Sequence, residues 1–380
     1  MSGQILDTLK QKLIQVAIGF LLILAAPVGQ FYNEQRVVHI EGMLNTLHDT
    51  CIENISPDSV VSDNEGRCVH MTGQIKSDSK LIDAEFKVSL DNGLCLKREA
   101  EMYQWSKTTK TKKDSSGNKT KKTVWKKKWS SKRLSNSDFT HKNPEMLYKS
   151  QEWCAKEGDV HLGKFDLNAE QIKAYGGYTE LAIDPKVVNQ LTIPNISVPK
   201  SNRIYIARSA TGLKKITSTS GNIGDHRLDY SQKSAGEVSL LAIQHGKSFS
   251  KIEDKDGYSL NIISSGIKSK EVLISEEHDH NVMISWLFRI GGLILIWTGV
   301  GLVFSPLTAI SNRVPIVGAL ISGGVSIFGL LIAIIISGLA ISIGWIFAHP
   351  LVGGGLLAIV IAAIIGLFVL RSKNLKEMTP

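Results

Sequence analysis

Five consecutive residues, Glu276-Glu277-His278-Asp279-His280, form the densest titratable group in the chain. Two imidazoles and three carboxylates could ligate a divalent cation. Alternating positions beside a membrane span are ordinarily solvated, however, and no metal is assigned to them. His39, His48, His70, His141, His161, His226 and His245 are scattered, with neither an HExxH nor a paired spacing. Cys51, Cys68, Cys95 and Cys154 show no zinc spacing; as an even set they permit two disulfides in any of three pairings. No Gly-x-Ser-x-Gly elbow, phosphate-binding loop or dinucleotide fingerprint occurs. Nothing local assembles a nucleophile, a base and an oxyanion donor, so a non-enzymatic protein without catalytic residues or cofactor is expected.

The remaining chemistry is electrostatic. Between Lys107 and Arg133 lie eleven lysines and one arginine against only Asp114, so the net charge of +9 belongs to this one segment. A strand through Glu101 to Trp105, a polar turn at Asp114-Ser115-Ser116-Gly117-Asn118 and a returning strand through Val124 to Trp129 predict a β-hairpin within 99–133. Alternation puts Tyr103 with Trp105 on one face, and Trp125 with Trp129 on one face. Lys121, Lys122, Lys126, Lys127 and Lys128, interleaved with Trp125 and Trp129, are the candidate binding set. Such a pattern is similar to a nucleic-acid surface. The segment is expected outside the cytoplasm, so nucleic acid is not the expected partner; anionic headgroups or a phosphate-bearing envelope polymer suit it better.

A membrane must position these groups. Residues 314–370 contain no Asp, Glu, Lys or Arg, far beyond the run of about 18 apolar residues that marks a span. Four transmembrane helices are predicted, at 13–31, 283–304, 315–347 and 351–370. The last two are separated at His349-Pro350, because proline disfavours helix at the residue before it. The flanks 1–12, 305–314 and 371–380 carry Lys10, Lys12, Arg313, Arg371, Lys373 and Lys376. The positive-inside rule places those flanks, and both termini, in the cytoplasm. Residues 32–282 then lie in a periplasm or an organelle lumen.

Strand-like runs prevail in that segment, at 87–90, 94–102, 203–207, 237–243 and 259–263, with helical patterns over 143–156 and 167–174. The fold class expected is an integral membrane protein: four transmembrane α-helices plus a large extracytoplasmic α+β, mainly β domain. Gly318, Ser322 and Ser326 recur every four residues, as do Gly338 with Ser342 and Ala340 with Gly344. That spacing suits close helix packing and a homo-oligomer. Arg289, the one charge within a span, is expected to snorkel to the outer interface.

Several short motifs stand in a fixed order: Arg98-Glu99-Ala100-Glu101-Met102-Tyr103-Gln104-Trp105, Trp129-Ser130, Asn136-Ser137-Asp138-Phe139, His141-Lys142-Asn143-Pro144, Gly163-Lys164-Phe165, Ile223-Gly224-Asp225-His226-Arg227-Leu228, Gly344-Trp345 and His349-Pro350-Leu351. With one early span, a large outer domain and three late spans, the chain resembles the LUMA (transmembrane protein 43) family of the animal endoplasmic reticulum and inner nuclear membrane, which has bacterial relatives. The resemblance implies a multi-pass membrane scaffold that self-associates through its spans. Its partners would be the lipid bilayer and other membrane proteins, emerin- or lamin-like only in a eukaryote. A bacterial source would place it in the inner membrane with a periplasmic domain. The family brings no catalytic residues. This sequence departs from animal members in its lysine-packed hairpin and in His349, where they tend to carry arginine. The alternative expectation is a binding module for an anionic membrane surface or envelope polymer, acting through that hairpin.

Overall fold

The structure, a computed structural model, describes residues 2–113, 119–135, 140–200, 203–213, 216–311, 315–347 and 349–377. Side chains are described within these ranges except at 2–9, 111–113, 119–121, 189, 199–200, 213, 309–311, 315–322, 367–368 and 370–377. The polar turn at 114–118, the motif at 136–139, Arg313 and Ala348 lie outside the described residues.

Apolar composition makes the long helices: α1 (Ser2–Thr50), α2 (Lys270–Val303), α3 (Pro315–Ile346) and α4 (Pro350–Glu377). The first three are long and apolar enough to cross a membrane, while the described apolar part of α4 is the shorter Pro350–Gly366. At about 1.5 Å per residue, the 49 residues of α1 span about 73 Å, more than twice a hydrocarbon core of about 30 Å. The helix therefore runs on past the apolar segment that ends at Phe31. Its continuation keeps a helical stripe, Val37, Ile40, Leu44 and Leu47, all buried. Likewise α2 starts ahead of its apolar part, so residues 276–280 are helical rather than a linker.

The chain divides into two compact units: residues 1–50, 253–260 and 274–380 form one, and 51–252 with 261–273 form the other. The second is β-rich. One of its sheets runs in the order Ser248–Ser250, Glu237–His245, Cys68–Ser77, Val160–Leu162, Phe165–Asp166. Ile52–Ile55 lies parallel beside Cys68–Ser77. A second large sheet runs Ile196–Lys200, Arg203–Ile206, His226–Ser234, Gly93–Lys113, Lys119–Ser130. Alternation decides which side chains are inside: His226, Leu228 and Tyr230 are buried while Arg227 and Asp229 are half-exposed. The first sheet's core includes Val69, Met71, Phe165, Ile172 and Leu240. Phe86, Leu96, Ala100, Leu228 and Tyr230 belong to the core of the second.

The helix expected near 167–174 is present as Ala169–Ala174, closed by a reciprocal capping box between Asn168 and Gln171. The helix expected over 143–156 is not formed. Asn143 precedes a proline, which disfavours helix. Its side chain instead bonds to both backbone groups of Trp105, at 2.7 and 2.9 Å. Gln151–Cys154 then pairs as a strand with Gly93–Lys113, setting Cys154 opposite Cys95. These two cysteines are bonded, as are Cys51 and Cys68. A buried ion pair also ties this unit together: Asp83 accepts from Arg98 Nη1 at 2.7 Å and from the Tyr230 hydroxyl at 2.6 Å.

Candidate functional site

The hairpin strands pair without a slip from Met102↔Ser130 to Lys113↔Lys119. Directly opposed residues share a face. Tyr103, Trp105, Lys107, Trp125, Lys127 and Trp129 therefore stand on one side, and Lys110, Lys122, Lys126 and Lys128 on the other. The aromatic side is internally occupied. Trp129 packs on Tyr103 at 5.1 Å and under the Arg227 guanidinium at 4.8 Å. Trp125 stacks on His141 at 4.4 Å, and the same imidazole meets Trp105 edge-on at 4.7 Å. Lys127 lies over Trp105 at 4.8 Å and Lys107 over Trp125 at 6.0 Å, each contact worth about 0.5–1 kcal/mol at an exposed site.

The candidate set is thus split by period-two geometry. Lys126, Lys127 and Lys128 are consecutive, so the middle one faces the rings and its neighbours face away. Lys122, Lys126 and Lys128, joined by Lys110, make an exposed cationic face with no acidic partner among the described residues. Lys127, Trp125 and Trp129 belong to the ladder. The side chain of Lys121 lies outside the described residues.

A second cluster lies in the helical unit, where α1 and α2 run antiparallel. Gln30 Nε2 donates to the Arg289 carbonyl at 2.9 Å, Asn281 Nδ2 to the Val37 carbonyl at 3.2 Å, and His278 Nδ1 lies 2.9 Å from Glu41 Oε2. Gly19 and Gly299 meet at a crossing where a Cβ on either would come within 2.8 Å of the other's carbonyl oxygen. Between these links sits Glu34, 0% exposed. Its carboxylate accepts from Arg289 Nε at 2.8 Å, Arg289 Nη2 at 2.6 Å and, from α3, Trp345 Nε1 at 2.7 Å. Gly344 permits this approach, since a Cβ there would stand 2.6 Å from Glu34 Cβ. Arg289 is held by a fork-shaped pair to a buried acid. The partner comes from the continuation of α1 beyond Phe31.

The small-residue positions also resolve. A Cβ on Gly338 would meet Val360 of α4 at 2.9 Å, and Ser342 Oγ donates to the Gly338 carbonyl at 2.6 Å. Both serve packing within one chain. The Ser326 carbonyl accepts from Trp297 Nε1 at 2.9 Å. The side chains of Gly318 and Ser322 lie outside the described residues.

The family model for Transmembrane protein 43 matches residues 102–350, which take in the hairpin, α2 and α3. The chain belongs to the transmembrane protein 43 family. It is 24% identical to the Rattus norvegicus transmembrane protein 43 over 84% of this chain and 81% of the relative. To the Homo sapiens protein it is 25% identical over 78% and 76%, and to the Drosophila melanogaster homolog 24% identical over 92% and 93%. No solved structure matches the chain.

Other groups in this member of the transmembrane protein 43 family bear on metal binding. In the helical unit, His39, Asp254 and Asp256 bring ligand atoms within 4.8 Å of one another, a grouping that their separation in sequence conceals. Asp254 is already engaged: Oδ2 lies 2.7 Å from His39 Nδ1, and Oδ1 accepts from the Asp256 and Tyr258 amides, each at 2.9 Å. The His39 ring stacks on Tyr258 at 4.3 Å, which makes the trio a folded turn. The cluster at 276–280 does not converge, because His278 turns to Glu41 and His280 stands 3.9 Å from Glu277.

Proposed function

We propose that this transmembrane protein 43 family member is a non-enzymatic, multi-pass membrane scaffold. Its four long helices lie in the bilayer with both termini cytoplasmic, and its β-rich unit faces the opposite side. The observation that carries this reading is the Glu34–Arg289–Trp345 cluster. Intramembrane charges usually mark a relay or a pathway, and here they bind three helices of one chain to each other. Two disulfides in the β-rich unit support an oxidising compartment for it, since such bonds persist outside the cytosol. Self-association is assigned to the part of α3 bearing Gly318 and Ser322, because Ser326, Gly338 and Ser342 are already engaged within the chain. Native mass spectrometry from lipid nanodiscs tests this. An oligomer that dissociates on Gly318→Leu or Ser322→Leu supports it; a monomer at all concentrations, indifferent to both changes, overturns it.

A second reading, contact with an anionic membrane surface or envelope polymer, is favoured by the one-sided face of Lys110, Lys122, Lys126 and Lys128. That face lacks aromatic rings, and the rings behind it are covered, so it suits a charged surface better than stacked bases. At about 1 kcal/mol per lysine near an anionic surface, four Lys→Gln changes should weaken binding to phosphatidylserine vesicles about a thousandfold. Changing Lys107 and Lys127 instead should matter less. Salt-insensitive binding, or equal losses from either set, would exclude this surface.

A further inference from the structure

The β-rich unit contains a cleft of about 320 Å³ that neither reading uses. Its lining includes Pro144, Leu147, Tyr148, Ile206, Arg208 and, deepest in the protein, His226. Two segments far apart in sequence, the His141-Lys142-Asn143-Pro144 motif and the one running from Ile223 to Leu228, therefore converge on one cavity. The walls are mostly apolar, as in small-molecule sites of this size. Gly224, with φ +92°, keeps the wall open: a Cβ there would stand 3.0 Å from Pro144 Cγ and 3.2 Å from Arg208 Cδ.

Three polar side chains in this lining, His226, Arg208 and Glu145, lack a hydrogen-bonding or ion-pair side-chain partner among the described residues. His226 is 2% exposed, and its Nε2 is buried without a hydrogen-bond partner. Burial lowers its pKa to about 4 and keeps the imidazole neutral. A neutral imidazole either presents a lone pair or carries its proton at Nε2, and in both forms this nitrogen wants the partner that a hydroxyl supplies. Buried polar atoms are rarely left without one. The Arg208 guanidinium and the Glu145 carboxylate, both exposed at the cleft, form no ion pair with each other or with any other described residue, so the guanidinium is free to take an anion.

We infer that this cleft binds a small apolar molecule carrying a hydroxyl at one end and an anionic group at the other. The hydroxyl donates to His226 Nε2, the apolar body lies along Pro144, Tyr148 and Ile206, and the anion pairs with Arg208. No covalent step is involved. The site does not depend on self-association or on the hairpin lysines.

The test uses the full chain in nanodiscs and fluorescence titration with 6-hydroxy-2-naphthoate. Two analogues accompany it: 6-methoxy-2-naphthoate lacks the donor, and 2-naphthol lacks the anion. The hydroxy acid is expected to bind at least tenfold more tightly than either. Arg208→Gln should bring it to the level of 2-naphthol, and His226→Leu should abolish the preference over the methoxy compound. Leu147 is 70% exposed at the cleft, so Leu147→Trp should block binding without touching the core, which keeps the test decisive if the histidine variant fails to fold. Equal binding of hydroxy and methoxy acids, binding that survives Leu147→Trp, or no saturable binding would each overturn the inference.

Discussion

Replacing Glu34 by Gln keeps the shape of the side chain and removes its charge. Arg289 then faces a neutral amide among apolar helices, and Trp345 Nε1 faces a group that both donates and accepts. Removing one partner of a buried ion pair costs about 3–5 kcal/mol. The lower end applies, because the Arg289 side chain is 21% exposed and can turn toward the interface. About 3 kcal/mol corresponds to a change of more than a hundredfold in the unfolding equilibrium. Trp345→Phe removes one bond to a charged acceptor and should cost about 1.5–3 kcal/mol. Reversible unfolding in mixed micelles, followed by tryptophan fluorescence, measures both. Arg289→Met alone should also destabilise, and the Glu34→Gln, Arg289→Met double variant should lose much less than the two single losses combined. If Glu34→Gln shifted stability by less than about 0.5 kcal/mol, or if the two losses added fully, the cluster would not be what joins these helices.

In the β-rich unit, Asp83→Asn removes the charge shared by Arg98 and Tyr230; Glu85 Oε2 still stands 2.8 Å from Arg98 Nη1, so the loss should lie near the lower end of about 3–5 kcal/mol, read as a lower melting temperature in calorimetry. Replacing Cys95 and Cys154 by Ala opens a loop of sequence separation 59 and should cost about 4 kcal/mol, against about 3 for the separation of 17 between Cys51 and Cys68; non-reducing melts compare them. His226 gives a pH signature. Its folded pKa, about 4, lies below the ordinary histidine value, so above about pH 6.5 it is neutral folded or unfolded. As the pH falls from about 6.5 to 4 the unfolded chain gains a proton that the folded one refuses, and about 3 kcal/mol of stability is lost. His226→Leu should flatten that acid limb in urea titrations; an unchanged limb would show that another group titrates there.

Much of the framework is legible in the sequence because it follows from short-range patterns. The strands at 94–102, 203–207 and 237–243 alternate or run apolar between turn residues, and they form. The hairpin is marked by its two tryptophan-bearing strands. The family follows from the order of short motifs rather than from any one of them. The sequence is less informative where pairing over long range decides. The pattern over 143–156 is helical taken alone, yet Cys154 bonds to Cys95 and Asn143 clasps Trp105, so the segment extends. Glu34 lies only three residues beyond the apolar run, and a boundary drawn by charge puts it outside the helix that delivers it to Arg289. The signal that recovers it is the stripe from Val37 to Leu47, which continues the same helix. Likewise His39 with Asp254, and Pro144 with His226, meet only through tertiary folding.

The paired ribbon has a consequence for how this chain can vary. From the Trp105↔Lys127 rung to the Lys113↔Lys119 rung it extends eight residues, about 27 Å at about 3.4 Å per residue. That exceeds three screening lengths of about 8 Å at physiological ionic strength. Substitutions near its end are therefore electrostatically insulated from the globular body, and none of the described side chains from Lys122 to Val124 is buried. Selection can retune the reach and sign of this arm while leaving the melting behaviour of the rest almost unchanged.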